Sequence, residues 1–139
     1  MRHTLLVLGA WIAGALLACG TMYAHHSIDA TYNKDQRQTI EGDVLQFLYR
    51  SPHSFLHVEV KDKNGEVTRW AIECESGKKL GRQGLARETL KPGDHLTVTG
   101  IPGRNPDHHR LWMVSVTRSA DGWTWTDVRL SKKKIRGAT

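Results

Sequence analysis

One face of a strand pair can be read directly from residues 56–75. Leu56, Val58 and Val60 alternate with His57, Glu59 and Lys61, the period of two that marks a half-buried strand. Asp62-Lys63-Asn64-Gly65 follows, and its Asn-Gly pair suits a tight hairpin. Beyond it Trp70, Ile72 and Cys74 alternate with Arg69, Ala71, Glu73 and Glu75. A chain carrying this hairpin has to bury one face of an antiparallel sheet and leave the other to water.

The flanking segments extend the pattern. Residues 39–48 read as a first strand, entered through Glu41-Gly42-Asp43 and broken by Ser51-Pro52. The period changes over residues 77–87, where Leu80 and Leu85 with Lys78, Lys79 and Arg82 predict a short amphipathic helix despite its glycines. After the Leu90-Lys91-Pro92-Gly93-Asp94 turn, Leu96, Val98 and Ile101 mark a fourth strand. A polar loop at 102–110 leads into a fifth strand at 111–118, and an extra strand is expected around 123–130. Three strands, a helix and two strands is the order of the oligonucleotide/oligosaccharide-binding (OB) barrel. The expected fold is therefore mainly β: a small five-stranded OB-like Greek-key barrel with one short helix between the third and fourth strands. The rival is an open antiparallel sheet with the helix on one face. At 139 residues there is room for one modest core, which excludes large multidomain enzymes.

The N-terminal segment reads as an export signal. Arg2 and His3 form a basic start, and residues 5–18 run 14 positions without a charge. A transmembrane helix needs ~20, whereas a signal h-region is shorter. The expected division is a signal peptide at 1–24, a single barrel domain at 25–128 and a basic tail at 129–139, in a periplasmic protein. Leu16-Leu17-Ala18-Cys19 resembles a lipobox and offers the alternative of a lipoprotein anchored at Cys19. Cleavage after Ala24 leaves Cys74 as the remaining cysteine, so no internal disulfide forms, and its strand position favours burial.

The pI of about 9.6 belongs to the tail. Arg129, Lys132, Lys133, Lys134 and Arg136 stand there without an acid, and the barrel segment without them is charge-balanced. A basic tail on a balanced body suits peripheral contact with an anionic membrane or envelope polymer rather than a nucleic-acid groove, and export argues against nucleic acid as well.

Histidine is the unusual component, at eight residues. His25 and His26 stand at the expected new N-terminus, His53 lies between the first two strands, and His108 and His109 lie between the fourth and fifth. In an OB barrel those loops flank the ligand-binding face of the second and third strands. There His57, Glu59, Glu73 and Glu75 share the outward side. An N-terminal His offers its amine and its ring to one ion, and imidazole suits copper or zinc, with copper(II) favoured by intrinsic affinity. The candidate metal ligands are His25, His26, His53, His108, His109 and Glu73, with Glu73 either an oxygen ligand or an orienting group. No zinc-type spacing is present, and exposed histidines in loops also serve as ordinary solvated residues. Ser27, Ser51, Ser54 and Ser76 have no nucleophile-elbow context, so no catalytic residue is assigned.

His25-His26-Ser27, Gly42-x-Val44, Ser51-Pro52-His53, Trp70-x-Ile72-Glu73, Leu80-x-Arg82-x-Gly84 and Leu90-Lys91-Pro92-Gly93-Asp94 with Val98-x-Gly100 occur in order. Together, over residues 24–116, they resemble a family of small exported bacterial proteins classed as a domain of unknown function. The resemblance implies a periplasmic single-domain protein and carries no activity or catalytic residue. Ile28 replaces its usual aromatic and Ser51 its usual asparagine, and the basic tail lies outside it.

Three functions are consistent with these residues. One is a periplasmic binding protein for a transition metal, copper before zinc. A second is a metal-free module for an envelope glycan, polymer or partner protein, with Trp112, Trp123 and Trp125 as a potential sugar-stacking platform. The third, a copper redox enzyme using the same chelate, lacks any sequence sign of a substrate cleft.

Overall fold

The computed structural model describes residues 28–131. A single helical turn, α1 (Ile28–Thr31), carries Asp29 in its first turn. The barrel begins at Tyr32. Strands β1 (Gln38–Leu48), β2 (Ser54–Lys61) and β3 (Val67–Cys74) form an antiparallel meander. Helix α2 (Gly77–Arg82) follows, and β4 (His95–Pro102) and β5 (Arg110–Arg118) pair antiparallel. β4 also lies against β1, while β5 runs parallel to β3 through Ala71–Arg110, Ile72–Leu111 and Glu73–Trp112. This seam closes the five strands into a barrel of the expected OB topology, and the open sheet is excluded.

β1 serves two partners. Its first half, Gln38 to Asp43, pairs with β4, and its second half, Asp43 to Leu48, with β2. A register shift between Val44 and Gln46 leaves Leu45 exposed. Such a bulge bends the strand into barrel curvature. Gly42 sits at the switch, where a Cβ would overlap the Glu59 carbonyl and lie 2.9 Å from Val58 Cγ1. Only glycine lets the strands approach this closely.

The barrel core contains Val44, Leu56, Val58, Ile72, Cys74, Leu96, Val98, Leu111, Met113 and Val116. α2 and the turn after it add the fully buried Leu80 and Leu85. Cys74 is buried, as its strand phase predicts.

Three element boundaries differ from expectation. The helix ends at Arg82 rather than 87, because Gly84 takes φ +85° and Leu85 N–H returns to the Leu80 carbonyl at 3.0 Å. The extra strand is only three residues, β6 (Thr124–Thr126) against β5, and the chain then turns into α3 (Val128–Ser131). Asp127, which is buried, drives that turn by accepting the Arg129 N–H at 2.9 Å. Arg129, the expected first residue of the tail, also pairs with Glu75 at 2.8 Å and Asp127 at 2.9 Å. The remaining tail residues, 132–139, and the expected signal peptide lie outside the described residues. Among the described residues no helix is long and apolar enough to cross a membrane.

Candidate functional site

The outward face of the seam is built by strand phase. Ile72 and Leu111 point into the barrel, so their neighbours Glu73 and Trp112, which pair across the seam, point out. An outward tryptophan needs a cover, and Trp112 is only 2% exposed. The cover is Tyr32 and His53, whose rings meet Trp112 edge-on with centroids 5.8 and 5.3 Å away.

Tyr32 is anchored from both ends. It bridges to Gly103, and the following Asn33 N–H donates to the Pro102 carbonyl at 2.9 Å. Its hydroxyl donates to Glu73 Oε2 at 2.6 Å. Burial first, and then the Glu73 carboxylate, push the Tyr32 pKa far up, so the hydroxyl remains a donor throughout the ordinary pH range.

The other Glu73 oxygen, Oε1, is bonded to His53 Nδ1. His53 sits just after the cis Ser51-Pro52 bond, in the β1–β2 connection. Its side chain is 40% exposed and that of Glu73 12%. Among the described residues, His53 Nε2 has no hydrogen-bond partner. The arrangement is a half-exposed imidazole, fixed through Nδ1 by a shielded carboxylate that a buried tyrosine holds in turn. A metal-ligating histidine uses its second ring nitrogen in this way.

The remaining candidates are spread along the seam. His109 is at φ 43° after the 3-10 turn Pro106–His108 and packs edge-on against Trp70 at 5.2 Å. Its carbonyl accepts the Ala71 N–H at 3.0 Å. His108 Nε2 lies 3.2 Å from Asn105 Nδ2. Trp70 and Glu73 are three strand positions apart, ~10 Å at the usual rise, so the His108–His109 pair and the His53–Glu73 pair occupy different stretches of β3. His25 and His26 lie outside the described residues. Among the described residues no group of three His, Cys, Asp or Glu side chains gathers to hold a metal. Of the outward carboxylates, Glu75 is taken up by Lys79 at 2.9 Å and by Arg129, bonds that outweigh burial and hold its pKa below the usual carboxylate value.

The three C-terminal tryptophans form no open platform. Trp112 is covered, and Trp125 is 6% exposed with its indole N–H on the Gln83 carbonyl at 3.0 Å. Trp123 packs against the core under the Arg118 guanidinium. A cleft does exist, which the sequence did not signal. It has a volume of about 660 Å³ and lies beside the middle of β3 and the β4–β5 loop.

Residues 15–112 match the model of a family of unknown function, DUF6152. The chain belongs to this family. The DUF6152 segment contains Tyr32, His53, Glu73 and Trp112, and with them the three residue pairs of the parallel seam. It ends at Trp112, leaving the rest of β5 and all of β6 outside it. It begins at residue 15, inside the uncharged stretch, so the DUF6152 match does not single out His25 as a start. No curated protein and no solved structure matches the chain.

Proposed function

We propose that this is an exported, periplasmic protein that binds a transition metal, copper in preference to zinc, with His53 as the ligand supplied by the barrel. The supporting observation is the Glu73 contact to His53 Nδ1 on a part-exposed ring, which leaves Nε2 as the nitrogen offered to an ion. Glu73, with both oxygens engaged, acts as the orienting group rather than as a ligand. His25 completes the set through its amine and ring, giving three nitrogens of the kind copper(II) favours. His25 lies seven positions before Tyr32 in the sequence, and Tyr32 is bonded to the carboxylate that holds His53.

The test is copper titration of protein whose first residue is His25, followed by calorimetry or by the copper d–d spectrum. One added glycine before His25 removes the amine–ring chelate, and His53→Ala removes the barrel ligand. Each is expected to weaken binding by at least about tenfold, the effect of losing about 1.4 kcal/mol. Unchanged affinity in the glycine-extended protein overturns the N-terminal chelate, and unchanged affinity in His53→Ala overturns the barrel ligand.

A further inference from the structure

The cleft beside the middle of β3 is lined by neither His53 nor Glu73 and has a different chemistry. Trp70 and His109 form part of its wall, with Arg37 from the segment before β1, Arg104 from the β4–β5 loop and Arg110 from the start of β5. Amide side chains, among them Gln36 and Gln38, supply both donors and acceptors. No carboxylate lines it among the described residues.

Two of its three arginines, Arg37 and Arg110, have no carboxylate partner among the described residues. Arg37 donates to the carbonyls of Lys34 at 3.0 Å, Gln36 at 2.9 Å and Leu130 at 3.3 Å, which fixes the guanidinium and leaves its full charge. Arg110 has no salt-bridge partner among the described residues, and it is anchored by its backbone pairing to Ala71. Trp70 is half-buried against the core, and His109 braces it edge-on. A half-buried indole, positive charge without a carboxylate partner and several amides in one concave site are the elements that recognise a sugar bearing an acid group. The ring packs on the indole, the hydroxyls meet the amides, and the carboxylate meets an arginine fork.

We infer that this cleft binds an acidic oligosaccharide, with its carboxylate on Arg110 and a sugar ring against Trp70. A single indole with amides around it fits sugar hydroxyls better than single-stranded nucleic acid, whose binding uses successive stacking platforms along a basic groove.

The probe is a short oligogalacturonate, compared with its methyl ester and with an oligothymidylate. Binding to the full-length protein is followed by tryptophan fluorescence and calorimetry with a chelator present throughout, so that failure of metal binding does not affect the result. The acid form is expected to bind at least about tenfold tighter than the ester, as loss of a charged hydrogen bond implies, and to weaken as salt is raised. Arg110→Gln should abolish that preference and Arg110→Lys should retain part of it. Equal binding of acid and ester, no binding of either, an unchanged preference in Arg110→Gln or equally tight binding of the oligothymidylate would each overturn the inference. If Arg110→Gln does not fold, the acid–ester comparison on the unaltered protein decides.

Discussion

Tyr32 closes over the edge of Trp112, ring centroid to ring centroid at 5.8 Å, although Trp112 points away from the barrel interior. The contact creates a second small apolar cluster outside the main core, joined by Ile101, which pairs with Trp112 across β4 and β5 and is 2% exposed. Tyr32→Ala should therefore destabilise the protein by about 3–5 kcal/mol, as for other buried aromatics. Tyr32→Phe keeps the packing but leaves one Glu73 oxygen without its donor, a loss of about 1–3 kcal/mol. Urea unfolding of the two variants measures both, and a Tyr32→Phe variant as stable as the parent would show that the hydroxyl contributes nothing.

Glu73→Gln tests the orienting role assigned to the carboxylate. The amide keeps the volume but is neutral and offers only one acceptor oxygen to Tyr32 and His53. Under the proposed function, copper affinity should fall about 10–100-fold, the usual effect of losing such a partner. Circular dichroism should stay native, and an unchanged copper isotherm would assign Glu73 to stability alone.

His95 lies between two carboxylates on the surface, with Nε2 2.9 Å from Glu41 and Nδ1 2.7 Å from Asp43. The bonds to Glu41 and then Asp43 raise its pKa. Because the folded value is above the unfolded one, this stabilisation is fully present below about pH 6.5 and is lost as pH rises through the folded value. All three side chains are well exposed, so the effect on stability stays under about 1 kcal/mol. Histidine titration by NMR should place His95 above an ordinary histidine, and Glu41→Gln with Asp43→Asn should return it.

At Gly42 the β1 backbone passes so close to β2 that a methyl group would overlap the Glu59 carbonyl. Gly42→Ala should cost about 1–3 kcal/mol through overpacking. For a domain of this size that lowers Tm by several degrees, at roughly 4–8 °C per kcal/mol. A scanning-calorimetry trace unchanged from the parent would show that β1 can shift to make room.

Cys74 is 1% exposed, with its Sγ 3.8 Å from the Met113 sulfur, and burial followed by the Glu73 charge pushes its thiol pKa well up. It should stay protonated and unreactive in the folded protein. In a Cys19→Ser background, thiol labelling should proceed at the rate of unfolding. Fast labelling under native conditions would contradict the burial.

Most of the barrel was legible because strand periodicity reports which face is buried. Leu56, Val58, Ile72 and Cys74 fell on the inner face, and the turn residues separated the strands in the right order. The helix end is not legible from periodicity, because a glycine inside a helical pattern signals only a weaker helix until its φ of +85° makes Gly84 a stop. His53 and Glu73 could be named but not joined, since their contact depends on how the β1–β2 connection folds back over β3. Tyr32 lies outside every strand run and gave no periodic signal. The one available sign was Trp112: with Leu111 and Met113 inside, an indole facing outward has to be covered by something. The cleft was hidden because Arg37, Trp70 and Arg110 come from three segments far apart in sequence and come together only in the closed barrel.

The barrel is fastened by a parallel join of only three residue pairs, between stretches of chain about forty positions apart. Contacts so distant in sequence form late, after the closure entropy of the long intervening loop has been overcome. Glu73 and Trp112 are one of these pairs, and Arg110 belongs to another. A guest seated there grips both banks of the shortest strand pairing among the five barrel strands and acts as a clasp on the whole cylinder. Occupancy and resistance to denaturation should then rise together, as they must for any guest that the unravelled chain does not hold.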